Sequence, residues 1–166
     1  LGDGYLELRD NFLKELGKHA NYYASLNTSL EKETNLAKIK NLANQFKDWR
    51  KIVYHPVLQK MVNFLLVFEG RDILNLAEGR FKNISNDLDK VGGLEIIKQS
   101  PLSELLSKAE KSLAEARDLY KASVLVILKS TDSDTQKLIE EEFAKVKDTY
   151  GYFIEMSNWL KEASKK

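Results

Sequence analysis

Two histidines, His19 and His55, and not one cysteine are what this 166-residue chain offers for nitrogen or sulfur ligation of a metal. A di-iron or di-manganese helical bundle needs Glu-x-x-His pairs projecting inward from two helices. Here Glu15 and His19 stand four apart, and the residue three before His55 is Ile52. The His-Glu-x-x-His spacing of zinc enzymes is also missing, so the expectation is no metal and no cofactor. His19 reads as a solvated or seam-edge residue. His55 precedes Pro56 and has two readings: a phosphohistidine carrier, or, more plainly, a cap facing the last carbonyls of a helix. The dense carboxylates are Glu140-Glu141-Glu142, with Asp132 and Asp134 just before them. Acids suit the first turn of a helix, and three in a row point in three directions, so they do not make a paired catalytic site by themselves. No glycine-rich phosphate loop or nucleophile motif is present. The residues predict a non-enzymatic protein.

Composition narrows the partners. With 26 basic and 25 acidic residues there is no overall field to draw the chain onto nucleic acid or a membrane, so polyanion binding would need a local patch. A chain of this length buries roughly 70% of its unfolded surface and needs no staple. The lack of cysteine fits a reducing or an oxidising compartment and so does not assign a localisation. The start at Leu1 rather than methionine leaves room for a removed leader or an upstream domain.

The elements that must position any site are helices. Apolar residues 3 and 4 apart recur from Leu13 to Leu160, and two prolines and eight glycines punctuate them. The first seam is Leu13, Leu16, Ala20, Tyr23 and Leu30, with a break expected between Ser25 and Glu33, where Thr28 and Glu31 have capping-box spacing. A second seam runs Leu36, Ile39, Ala43, Phe46, Arg50 and Val53, and His55-Pro56 is expected to end it. The third carries Leu58, Met61, Leu65 and Phe68, a kink at Gly70, then Leu74, Ala77, Phe81, Ile84 and Leu88, with Gly92-Gly93 as its stop. Pro101 opens a fourth, through Leu102, Leu106, Ala109, Leu113, Ala116, Tyr120, Ser123 and Ile127. The fifth reads Ile139, Phe143, Val146, Tyr150, Phe153, Ser157 and Leu160, after a turn in which Ser133 and Gln136 make a second capping box. Short connections between long helices predict an all-α, antiparallel up-and-down bundle of four to five helices, taken as one domain over 1–166. Val62 to Phe68 and Val124 to Leu128 are apolar on nearly every face and are expected at the centre, so that Leu65→Ala would cost about 2 to 5 kcal/mol.

Two surfaces stand out. Lys38, Lys40, Lys47, Arg50, Lys51 and Lys60 face a single acid, Asp48, between positions 38 and 60. Lys40, Lys47 and Lys51 form one stripe, with Trp49 and Tyr54 close by. It suits an acidic protein partner, anionic lipid headgroups or phosphates, or else it is a solvated face paired with the Glu140 region. The second surface is an extra apolar stripe of Tyr152, Met156 and Trp159. It suits a partner helix, or a fifth helix with two neighbours in the bundle. The expected function is therefore a helical-bundle module that recognises another protein, with an anionic-membrane-associated bundle as the alternative. Nucleic acid is disfavoured, and the oligomeric state is open.

Overall fold

A computed structural model describes residues 3–91, 101–129 and 134–165. The chain is all-α, a helical bundle with no strand among the described residues: α1 (Asp3–Lys32), α2 (Leu36–Trp49), a π-helical turn (Arg50–Tyr54), α3 (His55–Val91), α4 (Pro101–Leu128) and α5 (Thr135–Ala163). It divides into two compact units, Leu1–Phe64 and Leu65–Lys166. The expected Gly92-Gly93 stop and Ser133 of the second capping box lie outside the described residues.

The first unit is an antiparallel helical hairpin. Tyr23 meets Phe46 and Trp49, His19 meets Trp49 and Tyr54, and Phe12 meets Phe64, so partners descend one helix as they climb the other. Its turn is at 33–35, at the end of the interval expected. The capping box is not used: Thr28 donates its hydroxyl to the Ala24 carbonyl, and Glu31 accepts from Asn27. Asn35 is the cap instead, its Oδ1 accepting from the Ala37 and Lys38 amides at 2.9 and 3.2 Å. Asn35→Ala should therefore lower the stability of the hairpin by about 1 kcal/mol in urea unfolding, with Asn35→Asp close to wild type.

His55-Pro56 does not end the second helix. The chain stays helical from Leu36 to Val91, and the His55 amide bonds to the Arg50 carbonyl, a five-residue step. A proline ring crowds the carbonyl four residues earlier and brings no N–H to it. That carbonyl is Ile52, inside the π turn, and widening the helix there lets Pro56 sit in a continuous rod.

The second unit packs the last part of α3 with α4 and α5, up, down and up. Leu74 and Ala77 of α3 meet Leu113 and Ala116 of α4 and Val146 of α5, with Phe81, Tyr120 and Tyr150 around them. A second cluster joins Leu102, Leu105 and Ala109 to Phe153 and Met156, flanked by Ile84 and Leu88. Ion pairs cross the helices outside this core, Arg117 with Glu78 and Lys145 with Glu115, each at 2.6 Å. The partner charges hold Glu115 below the usual carboxylate range and raise Lys145, but such exposed pairs contribute little. Gly70 lies within an unbroken stretch of α3. It is buried, and a Cβ built on it would stand 2.5 Å from Oε1 of Glu142, so glycine is what lets a carboxyl lie against the helix.

The two strongly apolar segments are not central along their whole length. Leu65 is 61% exposed, and Val62, Leu125 and Leu128 are also exposed, while Met61, Phe64, Val67 and Ile127 are buried.

Candidate functional site

The basic stripe and its aromatic neighbours converge on the hairpin, where α2 passes into the π turn. Trp49 stacks on Tyr22 with ring centroids 4.3 Å apart and on Tyr54 at 5.5 Å, and Tyr23 stands edge-on to Trp49 at 5.2 Å. His19 lies inside this set, edge-on to Trp49 at 5.3 Å and to Tyr54 at 5.4 Å. It is 5% exposed, so of the two readings, solvated or seam-edge, the solvated one does not hold, and its Nε2 has no hydrogen-bond partner among the described residues. Closed in by rings, His19 packs the hairpin and is shielded from any external substrate. Aromatic pairs of this kind add about 0.5–1.5 kcal/mol each beyond the area they bury.

Outside the rings stand the cations. Lys40, Lys47, Arg50 and Lys51 are exposed, and none forms an ion pair among the described residues, whereas Lys38 reaches Glu33 at 3.5 Å. Arg50 lies over the Phe46 ring at 5.9 Å. Phe46, Lys47, Arg50, Lys51 and His55 line an open hollow of about 310 Å³. His55 is exposed and sits within a continuous helix, so it does not cap a helix end. The π turn also turns Ile52 and Val53 outward, Ile52 to 71% exposure.

Of the seam expected on α1, Tyr23 reaches the opposite helix, while Leu13, Leu16, Ala20 and Leu30 are exposed. The α1 rings that meet the opposite helix are those of Tyr5, Phe12, His19, Tyr22 and Tyr23, and Leu8 and Leu26 are half-buried on the same line. At 3.6 residues per turn, Leu6, Leu13, Gly17, Ala20 and Ala24 form a row about 100–160° round from His19, and every one of them is exposed, Leu13 to 59%. The sequence supports two neighbouring stripes on α1, and the aromatic one took the contact.

The C-terminal surface is part of the second unit's core. Met156, for which the sequence left a partner surface and a broad bundle face open, is 2% exposed and packs with Leu102, Leu105, Ala109 and Phe153. Tyr152 and Trp159 are half-buried against the same cluster, so this stripe widens the face that α5 turns to α4. Among the described residues no three His, Asp or Glu side chains converge on a point where a metal would bind, and no helix is long and apolar enough to cross a membrane. Of the residues singled out in the sequence, Lys40, Lys47, Trp49, Arg50, Lys51 and Tyr54 share one unit, while Tyr152, Met156 and Trp159 belong to another. Comparison with family models, curated proteins and solved structures finds no match to this chain.

Proposed function

We propose that this chain is a non-enzymatic interaction module that recognises another protein through its helical hairpin. One observation carries the reading: a row of exposed apolar and small residues on α1 lies in the same unit as four cations on α2 and the π turn that form no ion pair among the described residues. Charge without a local counter-ion, beside apolar surface without cover, is the composition of an interface before its partner arrives. A second reading has its own support. Ile52 and Val53 project from the π turn next to Lys51, and exposed aliphatics beside lysine also suit an anionic bilayer surface.

Cosedimentation with anionic and with neutral vesicles, at low and high salt, tests the two against each other. The protein-recognition reading expects the wild type to stay in the supernatant in all four conditions. Pelleting with anionic vesicles that salt reverses, and that a Lys40→Glu, Lys47→Glu, Lys51→Glu variant loses, would replace it with the membrane reading.

A further inference from the structure

α1 carries two seams, and α2 covers only one of them. The covered seam, Phe12, Glu15, His19, Tyr22 and Leu26, is buried or half-buried at every position, with spacings of 3 and 4. One residue further on at each step, about 100° round the helix, a second seam keeps the same rhythm. Its apolar positions are Leu6, Leu13, Leu16, Ala20, Tyr23 and Leu30, and all six are exposed. Arg9 and Asn27, also exposed, fill the two places that remain. Tyr23 stands where the seams adjoin, edge-on to Phe46 and Trp49 and still 38% exposed. From Leu6 to Leu30 these are the a and d positions of a heptad repeat, sustained over 25 residues or about 37 Å. Two seams so placed suit a helix with two neighbours.

Resting on the proposed role in protein recognition, we infer that the protein met by the free seam is a second copy of this chain, the two α1 helices lying antiparallel about a twofold axis at position 18. The seam's own symmetry selects that occupant. About this axis Leu6 faces Leu30 of the second copy, Leu13 faces Tyr23, and Leu16 faces Ala20, a large residue against a small one. The same register sets the two polar positions against each other, Arg9 against Asn27. Asn27 donates its amide N–H to Glu31 at 2.8 Å, so its amide oxygen is left to accept from the guanidinium, with the Glu31 carboxylate one turn away. Arg9 bonds Asp10 of its own helix through Nε, and its other N–H groups supply that donor. Sliding the pair by one heptad shortens the overlap and sets Arg9 against Ala20, or Asn27 against Leu16. Parallel pairing sets Arg9 against Arg9, a repulsion of like charges. A seam in which every layer is answered by another layer of the same seam is the pattern of an isologous interface, and polar residues at core positions fix its register. α2 lies to one side of this seam, so the second α1 does not displace it.

The test is sedimentation equilibrium of the full chain over a wide range of concentration, with circular dichroism to follow the folding of each variant. The wild type should pass from the mass of one chain to the mass of two as concentration rises, and Leu13→Glu, at an exposed position, should stay a monomer. A pair of charge changes then locates the register. Arg9→Glu should weaken the dimer about tenfold by facing Asn27 and Glu31, and Asn27→Lys should do the same by facing Arg9. Both changes in one chain should bring the affinity back to within about threefold of wild type, because position 9 faces position 27 in both directions. In a parallel pair each change would face its own copy, and the double variant would be the weakest of the three. If Leu13→Glu loses its helical signal, this cycle decides by itself. A monomer at every concentration, a dimer indifferent to a folded Leu13→Glu, or a double variant no tighter than the single ones overturns the antiparallel second copy. The broader reading fails separately, through salt-sensitive binding to anionic vesicles.

Discussion

Leu102→Ala should destabilise the second unit by about 2 to 5 kcal/mol, while Leu65→Ala should cost less than about 1 kcal/mol. Both are leucines in long helices with apolar neighbours, and only their surroundings separate them. Leu102 is 0% exposed and lies among Leu105, Ala109, Phe153 and Met156, where removing three carbons leaves a cavity that these neighbours cannot collapse into without leaving their own contacts. Leu65 shows most of its side chain to water, so shortening it forfeits little burial and opens no void. Urea unfolding followed by Trp159 fluorescence in a Trp49→Phe background reads the second unit without the hairpin's signal, because each unit holds one of the two tryptophans. Equal losses for the two variants would show that the core of this unit extends to Leu65.

That pair of leucines also marks how far the sequence carries. In α4 six of the eight expected seam positions, Leu102, Ala109, Leu113, Ala116, Ser123 and Ile127, are buried and the other two, Leu106 and Tyr120, are half-buried, because α4 has two helices to pack on and a single apolar stripe to offer them. The all-α bundle follows from such periodicity. Position 65 failed because an apolar run looks alike on all sides, and the 3.6 repeat then gives no phase. In α1 the difficulty was the reverse: two stripes 100° apart both keep good spacing, and the choice between them depends on Trp49 and Tyr54, which are 30 residues or more away from His19. The π turn had a local signal that went unused. A proline in strong helical periodicity either stops a helix or demands room for its ring, and the uninterrupted aromatic and aliphatic pattern after Pro56 points to the second. Among the candidate site residues, the lysine stripe could be read from charge bias alone. Met156 could not be assigned, since a broad apolar face on α5 has the same pattern whether α4 or a foreign helix covers it.

The second unit should also be more stable at pH 5 than at pH 8, by about 2 to 3 kcal/mol, through a single residue. Glu142 is 0% exposed, neither of its carboxyl oxygens has a hydrogen-bond partner among the described residues, and its carboxyl lies against Gly70. Burial is the cause that raises its pKa from 4.5 to about 7. The folded state therefore holds a proton that the unfolded state gives up near pH 4.5. Its stabilising effect is complete below that value, falls as pH rises, and is lost once pH passes through about 7. Acids elsewhere behave in the opposite way: Glu104 and Glu115, held low by Lys108 and Lys145, lose their contribution only below pH 4.5, outside this window. Glu142→Gln should flatten the profile between pH 5 and 8, and Glu142→Met, which fills the same space without an ionisable group, should raise stability at pH 8. Gly70 gives an independent check on the geometry. Alanine in place of a helical glycine normally gains about 1 kcal/mol, but here its Cβ would press on the carboxyl, so Gly70→Ala should be neutral or destabilising alone and stabilising in a Glu142→Ala background. A profile unchanged by Glu142→Gln, together with additive effects of Gly70→Ala and Glu142→Ala, would mean that the carboxyl reaches water in solution and that Gly70 does not make room for it.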